Sequence, residues 1–160
     1  MFLDKPKGIT SYDVIRKLKP QFPRMKIGHS GTLDPLASGL MIVAVGSATK
    51  RLSEFLKLPK RYIVEATFGK ISATYDAEGP FTDVFSDPIS SSISRGMIEK
   101  ILCENFTGEI SQTPPAYSAA KIKGQRAYHL ARQGKAVVLE PRKVRIDSCE
   151  IMSYEWPKIV

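Results

Sequence analysis

The chain has 160 residues, of which 42% are hydrophobic and 25% are charged, and its formal net charge is +8. This length and composition suit one globular domain with an apolar core and exclude a largely disordered chain. No apolar run approaches the roughly 20 residues that span a bilayer, and the N-terminus lacks a secretory signal pattern. We therefore expect a cytoplasmic protein, in which Cys103 and Cys149 are buried or bystander thiols.

The charge is distributed unevenly along the chain. Residues 1–70 carry 13 basic and 5 acidic side chains, residues 71–110 carry 2 and 7, and residues 111–160 carry 9 and 4. A polyanion would be attracted to a surface formed by the two basic ends and repelled by the acidic middle. The pattern favours nucleic acid as a partner, although a solvated basic surface gives the same count.

The predicted elements alternate between helix and strand without a regular βαβ rhythm. This arrangement is typical of an α+β domain with a mixed, mostly antiparallel sheet flanked by helices. In chain order we predict a strand at 2–4, a turn at 5–8, a helix from Thr10 or Ser11 to about Pro20, a loop at 21–38, a strand at 40–45, a helix at 47–56, a strand at 61–68, a helix at about 92–105, a strand pair near 117–122, a helix at 125–132 and β-like residues at 137–151.

The stretch GHSGTLDPLASG, from Gly28 to Gly39, carries the strongest chemical signal. Its proline disfavours the αR conformation for Asp34, which restricts where that carboxylate points. A carboxylate held beside basic groups can serve as a nucleophile or a general base. Asp followed by Pro is also a good helix N-cap pair, and His29 can equally be a base, a wedge or an ordinary loop histidine. The residues alone leave these alternatives open.

Four blocks together resemble the stand-alone bacterial tRNA pseudouridine-55 synthases of the TruB type. The likeness spans nearly the whole chain, in the order found in that family, and the residues PLASG after the aspartate favour this type over the guide-RNA-dependent synthases. The blocks are LDKPKGITSYDVI, GHSGTLDPLASGLMIVAVGSATK, KRYIVEATFG with TYDAEG, and QTPPAYSAAKIKGQRAYHLARQG.

This resemblance implies a pseudouridine synthase-like fold and an enzyme that acts without a metal or other cofactor. It makes Asp34 the nucleophile that converts a flipped-out T-loop uridine at tRNA position 55 to pseudouridine. The expected partner is the tRNA T-arm, with no membrane and no obligate protein partner, and the enzyme is expected to be a monomer. The residues implied to contact the RNA are His29, Tyr62, Lys50, Asp76 and Lys5.

Two departures from the family pattern affect these expectations. Ala73 stands where the family usually has an acidic residue. The chain also ends before a block resembling KGTYIR, whose arginine pairs with the aspartate, and before a C-terminal RNA-binding domain. We therefore interpret residues 1–160 as a truncated catalytic domain with weak or no turnover. The alternative function is an inactive fragment that binds or folds tRNA.

Overall fold

The computed structural model describes residues 1–72, 74–84, 93–118, 120–122, 124–134 and 136–160. The chain divides into a first unit, Met1–Tyr62, and a second unit, Ile63–Val160. Ala73 and the first residue of the helix predicted at 92–105 lie outside the described residues.

A three-stranded antiparallel sheet organises the first unit. Its strands are β1 (Phe2–Lys5), β2 (Ile27–Ser30) and β3 (Gly39–Val45), in the spatial order β1-β3-β2. The apolar run of β3 occupies the centre, between β1 and β2, and buries Met41 and Val43. Lys5 is opposite Gly39, the first residue of β3, and Ser30 is opposite Ile42, so β1 and β2 both run toward the end of the sheet where β3 begins.

Helix α1 (Ser11–Leu18) begins at a capping box and packs on one face of this sheet. The Thr10 hydroxyl accepts from the Asp13 amide at 3.1 Å, and the Asp13 carboxylate accepts from the Thr10 amide at 2.8 Å. Helical spacing directs Ile15 inward, where it forms the buried core with Met41 and Val43. Burial of each such side chain stabilises the fold by about 1.5–3 kcal/mol.

The segment after β3 covers the opposite face. It forms a 3₁₀ helix over Gly46–Arg51 and then α2 (Leu52–Leu56). A Cβ atom placed on Gly28 would lie 2.9 Å from the Leu52 side chain, so the absence of a side chain at Gly28 allows α2 to approach β2 closely.

Small antiparallel sheets and two helices make up the described part of the second unit. In chain order these elements are β4 (Ala66–Thr67), β5 (Lys70–Ser72), β6 (Phe81–Asp83), α3 (Arg95–Phe106), β7 (Gly108–Gln112), β8 (Lys121–Ile122), β9 (Gln125–Arg126), α4 (Ala127–Arg132), β10 (Arg142–Ile146), β11 (Tyr154–Glu155) and β12 (Lys158–Ile159). β4 pairs with β12, which also pairs with β11; β5 pairs with β6, β7 with β10, and β8 with β9.

Aromatic contacts join β4 to the end of the chain. The Phe68 ring stacks on Trp156 with centroids 5.7 Å apart and meets Tyr154 edge-on at 6.4 Å. The Tyr154 hydroxyl donates to the Ile93 carbonyl at 2.8 Å, which links this cluster to the residues just before α3. The arrangement satisfies the polar end of the tyrosine while its ring packs.

The predicted α+β class is confirmed, and every strand pairing in the described residues is antiparallel. The loop predicted at 21–38 is wrong over β2, because pairing with β3 makes a strand of residues that lack apolar alternation. The strand predicted at 61–68 is wrong over residues 61–65, which carry exposed apolar side chains without ladder partners.

Cys103 and Cys149 are exposed free thiols. None of the helices in the described ranges has the length and apolarity of a membrane span.

Candidate active site

The GHSGTLDPLASG stretch forms the end of β2, a loop over 31–38, and the start of β3. Gly31 and Gly39 bound this loop with φ values of +82° and +135°, which side chains of L-residues rarely tolerate. These two glycines let the chain leave one strand and enter its neighbour within eight intervening residues. The loop lies at the end of the sheet where β1 also ends.

Asp34 is exposed at the start of a tight turn in this loop. The Ala37 amide donates to the Asp34 carbonyl at 3.0 Å, which closes the turn through the backbone. Among the described residues no hydrogen bond or ion pair engages the Asp34 carboxylate, so the structure gives no support to the helix-cap interpretation. The carboxylate is therefore available to a ligand.

The segment between β1 and α1 holds the loop on both sides of Asp34. The Gly8 amide donates to the Pro35 carbonyl at 2.8 Å. The Ser11 hydroxyl donates to the Leu33 carbonyl at 3.0 Å and accepts from the Leu33 amide at 2.9 Å. The Leu33 side chain also packs against the core. Both backbone neighbours of Asp34 are thus fixed while its own side chain remains in solvent.

Lys5 is fully buried at the end of β1. Its ammonium donates to the carbonyls of Pro6 and Ile9, at 3.0 Å and 2.8 Å, and so closes the turn that carries Gly8. This placement does not fit the direct RNA contact that the resemblance implies, because a side chain with no accessible surface cannot reach a ligand. Sequence reasoning missed this contribution to the turn.

His29 is half-buried in β2, five residues before Asp34. Its Nδ1 lies 2.5 Å from the Gly31 carbonyl. A carbonyl only accepts, so Nδ1 carries the proton and Nε2 is the nitrogen left to contact a ligand. The hydrogen bond fixes the orientation of the ring at the start of the loop.

The other predicted RNA contacts belong to other segments of the chain. Lys50 is exposed in the 3₁₀ helix that precedes α2, and Tyr62, 68% exposed, is the last residue of the first unit. Asp76 belongs to the second unit, between β5 and β6, where its Oδ1 accepts from the Thr74 hydroxyl and, at 2.9 Å, from the Glu78 amide. Asp76 thus organises its own turn. The roles assigned to these side chains stay predictions.

Exposed ion pairs lie beside these residues. Arg51, next to Lys50, pairs with Glu54 at 3.0 Å, and this contact raises the pKa of Arg51 and lowers the pKa of Glu54. At the start of α1, hydrogen bonds from Thr10 lower the pKa of Asp13. Lys50 has no ion-pair partner among the described residues, so its charge is free to meet an anion.

Most of the chain matches one family of known sequences. The sequence model described as the TruB family pseudouridylate synthase, N-terminal domain, matches residues 16–160. The chain belongs to this family. The resemblance noted in the sequence is thereby confirmed.

Similar TruB-family proteins include tRNA pseudouridine synthase B of Aquifex aeolicus, 43% identical over 96% of this chain and 52% of that protein. The proteins of the same name from Bacteroides fragilis and Fusobacterium nucleatum are 40% and 44% identical, covering 99% and 96% of this chain and 69% and 52% of those proteins. The chain thus spans about half the length of two of these TruB-family relatives.

A chain in a crystal structure of a Cbf5–Nop10–Gar1 complex has a similar fold. It superposes with a TM-score of 0.58 at 25% sequence identity, over 99% of this chain and 36% of that chain. The pseudouridine synthase-like fold expected from the sequence is therefore confirmed.

Proposed function

We propose that this chain is the N-terminal part of the catalytic domain of a tRNA pseudouridine synthase. In this proposal it converts the T-loop uridine at position 55 of tRNA to pseudouridine. The observation that carries the proposal is the exposed carboxylate of Asp34, on a loop whose neighbouring residues Leu33 and Pro35 are both fixed by hydrogen bonds. Membership of the TruB family and relatives named tRNA pseudouridine synthase B support the reaction type.

The reaction is an isomerisation, so it needs no oxidant or reductant. The bond between N1 of uracil and C1′ of ribose breaks, the base turns, and a bond forms between C5 and C1′. C5 loses a proton and N1 gains one, and the atoms balance without a cofactor. Asp34 is the nucleophile in this proposal: a carboxylate oxygen bonds to C1′ as the N1–C1′ bond breaks, and leaves C1′ as C5 bonds there. In the glycal route Asp34 instead removes the C2′ proton and later returns it, so the carboxylate is regenerated by either route.

The target uridine lies inside a folded T-loop, so it must leave the stack before Asp34 can reach it. An exposed aromatic ring offers a surface on which a displaced base can stack, and Tyr62 has that exposure. Among the described residues, Nε2 of His29 has no hydrogen-bond partner and Lys50 has no ion-pair partner, so the first can contact the rearranged loop and the second a phosphate. The proposed partner is therefore the tRNA T-arm.

The experiment uses a T-arm stem-loop with tritium at C5 of its uridines, incubated with the complete gene product that carries this chain. Tritium release from the wild type, and its loss in the Asp34→Asn variant with RNA binding retained, is the expected result. Binding by both proteins with release from neither would instead identify an inactive tRNA-binding module. Release at equal rates from both proteins would remove Asp34 from the mechanism.

A further inference from the structure

We propose that Ser11 is a positioning residue for Asp34, and this inference rests on the proposed function. Ser11 begins α1, yet its hydroxyl is directed away from its own helix and toward the loop over 31–38. There it donates to the carbonyl of Leu33 at 3.0 Å and accepts from the amide of the same residue at 2.9 Å. One hydroxyl therefore satisfies both backbone groups of the residue that precedes the nucleophile.

The local burial makes this contact strong. Ser11 is 2% exposed, and Leu33 packs its side chain against the core of Ile15, Met41 and Val43. Water has little access to this site. Loss of the Ser11 hydroxyl would therefore leave the amide and the carbonyl of Leu33 without partners in a partly buried position. Leu33 is thus held by its side chain and by its backbone.

Ser11 is not needed as the helix cap. The neighbouring Thr10 has the extended backbone of an N-cap, and its hydroxyl accepts from the Asp13 amide. The two adjacent hydroxyls therefore have different roles. The Thr10 hydroxyl stabilises the start of α1, and the Ser11 hydroxyl bonds that helix to the loop over 31–38. This division provides a matched pair of variants in consecutive residues.

A second contact completes the restraint. The Gly8 amide donates to the Pro35 carbonyl at 2.8 Å, so residues on both sides of Asp34 are tied to the segment between β1 and α1. Only the two side-chain torsions of Asp34 then separate its carboxylate from a fixed backbone. Misplacement of a reacting group by about 1 Å can reduce a rate by about 100-fold. Ser11 should therefore affect the chemical step more than RNA affinity.

The test compares Ser11→Ala, Ser11→Thr and the control Thr10→Ala in the complete gene product. Three quantities are measured for each: the single-turnover rate constant on a T-arm stem-loop, the dissociation constant for that RNA, and amide hydrogen exchange over residues 33–37, where every residue but Pro35 has an exchangeable amide. If the alanine variant does not fold, Ser11→Cys replaces it, because the thiol has a similar size and is a weak hydrogen-bonding group.

We expect Ser11→Ala to lower the single-turnover rate by about 10- to 100-fold, with the dissociation constant within about twofold of wild type. Exchange at residues 33–37 should accelerate. Ser11→Thr, which keeps the hydroxyl, should retain most of the rate. Thr10→Ala should leave both the rate and loop exchange near wild type, even where it lowers the melting temperature.

The inference is overturned if Ser11→Ala keeps the rate of the Thr10→Ala control, or if exchange at residues 33–37 does not respond. The exchange experiment requires no turnover. If the wild type forms no pseudouridine while Ser11→Ala still loosens the loop, the proposed function fails but the restraint by Ser11 stands.

Discussion

The amide of Gly8 lies 2.8 Å from the carbonyl of Pro35, so the turn after β1 is joined to the residue that follows Asp34. The buried ammonium of Lys5 closes that turn by donating to Pro6 and Ile9. A chain of hydrogen bonds thus runs from the first strand to the loop that carries the proposed nucleophile.

Replacement of Lys5 by methionine tests whether this lysine stabilises the folded protein or contacts RNA directly. Methionine keeps an unbranched side chain but cannot donate, so two carbonyls lose their partner. We expect the free energy of unfolding to fall by about 1.5–3 kcal/mol, with RNA affinity retained by the folded fraction. Urea denaturation and RNA titration measure the two quantities.

Lys7→Met is the control for Lys5→Met, because Lys7 lies on the same turn and is exposed. It should change stability little. A Lys5→Met variant that keeps wild-type stability but loses RNA affinity would show that Lys5 contacts RNA directly.

The capping box of α1 should make stability depend on pH. Hydrogen bonds from Thr10 lower the pKa of Asp13 in the folded state, so its stabilisation is present above the unfolded pKa and is lost as the pH falls through the lower folded value. The stability difference between wild type and Asp13→Asn should therefore shrink below about pH 4. Denaturation at several pH values measures it, and a difference that grows on acidification would contradict this sign.

The sequence predicted the elements with strong local signals. Apolar periodicity and a helix cap, which are properties of neighbouring residues, predict three elements: β1, the helix after Thr10 and the central strand β3. β2 was not predicted, because Gly28, His29 and Ser30 have no strand pattern and acquire one only by pairing with β3. The strand predicted at 61–68 failed over residues 61–65 for the opposite reason: the alternation is present, but these residues pair with no strand in the described part of the chain.

The candidate site was predictable in part. The motif and the resemblance pointed to Asp34, but its fixed neighbours depend on contacts 22 residues apart in sequence between Ser11 and Leu33. The signal that was available is the pair Thr10–Ser11, since one helix needs only one capping hydroxyl. The burial of Lys5 had no such signal, because a lysine in a turn is ordinarily exposed.

Tyr62 provides a test of base stacking. Tyr62→Ala should weaken binding of a T-arm stem-loop by about 1–3 kcal/mol, whereas Tyr62→Phe should retain most of the affinity because the ring face is kept. Fluorescence anisotropy measures both variants. The control is Tyr12→Ala, an exposed tyrosine of the first unit whose ring lies beneath the Arg16 guanidinium, 5.7 Å from the ring centroid. Equal losses in Tyr62→Ala and Tyr12→Ala would argue against a specific stacking position.

Lys50 and Arg51 are adjacent cations that differ in their ion pairing. Arg51 is paired with Glu54, whereas Lys50 has no ion-pair partner among the residues described. If Lys50 contacts a phosphate, Lys50→Gln should reduce the slope of log affinity against log salt by roughly 0.7–0.9, and Arg51→Gln should change it much less. Titrations at several salt concentrations measure the slopes, and identical slopes for Lys50→Gln and wild type would exclude the contact.

The central claim is that Asp34 reacts as a carboxylate held in one place by fixed neighbours. The single-turnover rate of Asp34→Glu on a T-arm stem-loop tests it most directly, because glutamate keeps the charge and moves the carboxylate by one methylene group. We expect the rate to fall by about 100-fold or more, with RNA affinity unchanged. A glutamate variant that forms pseudouridine at the wild-type rate would contradict it.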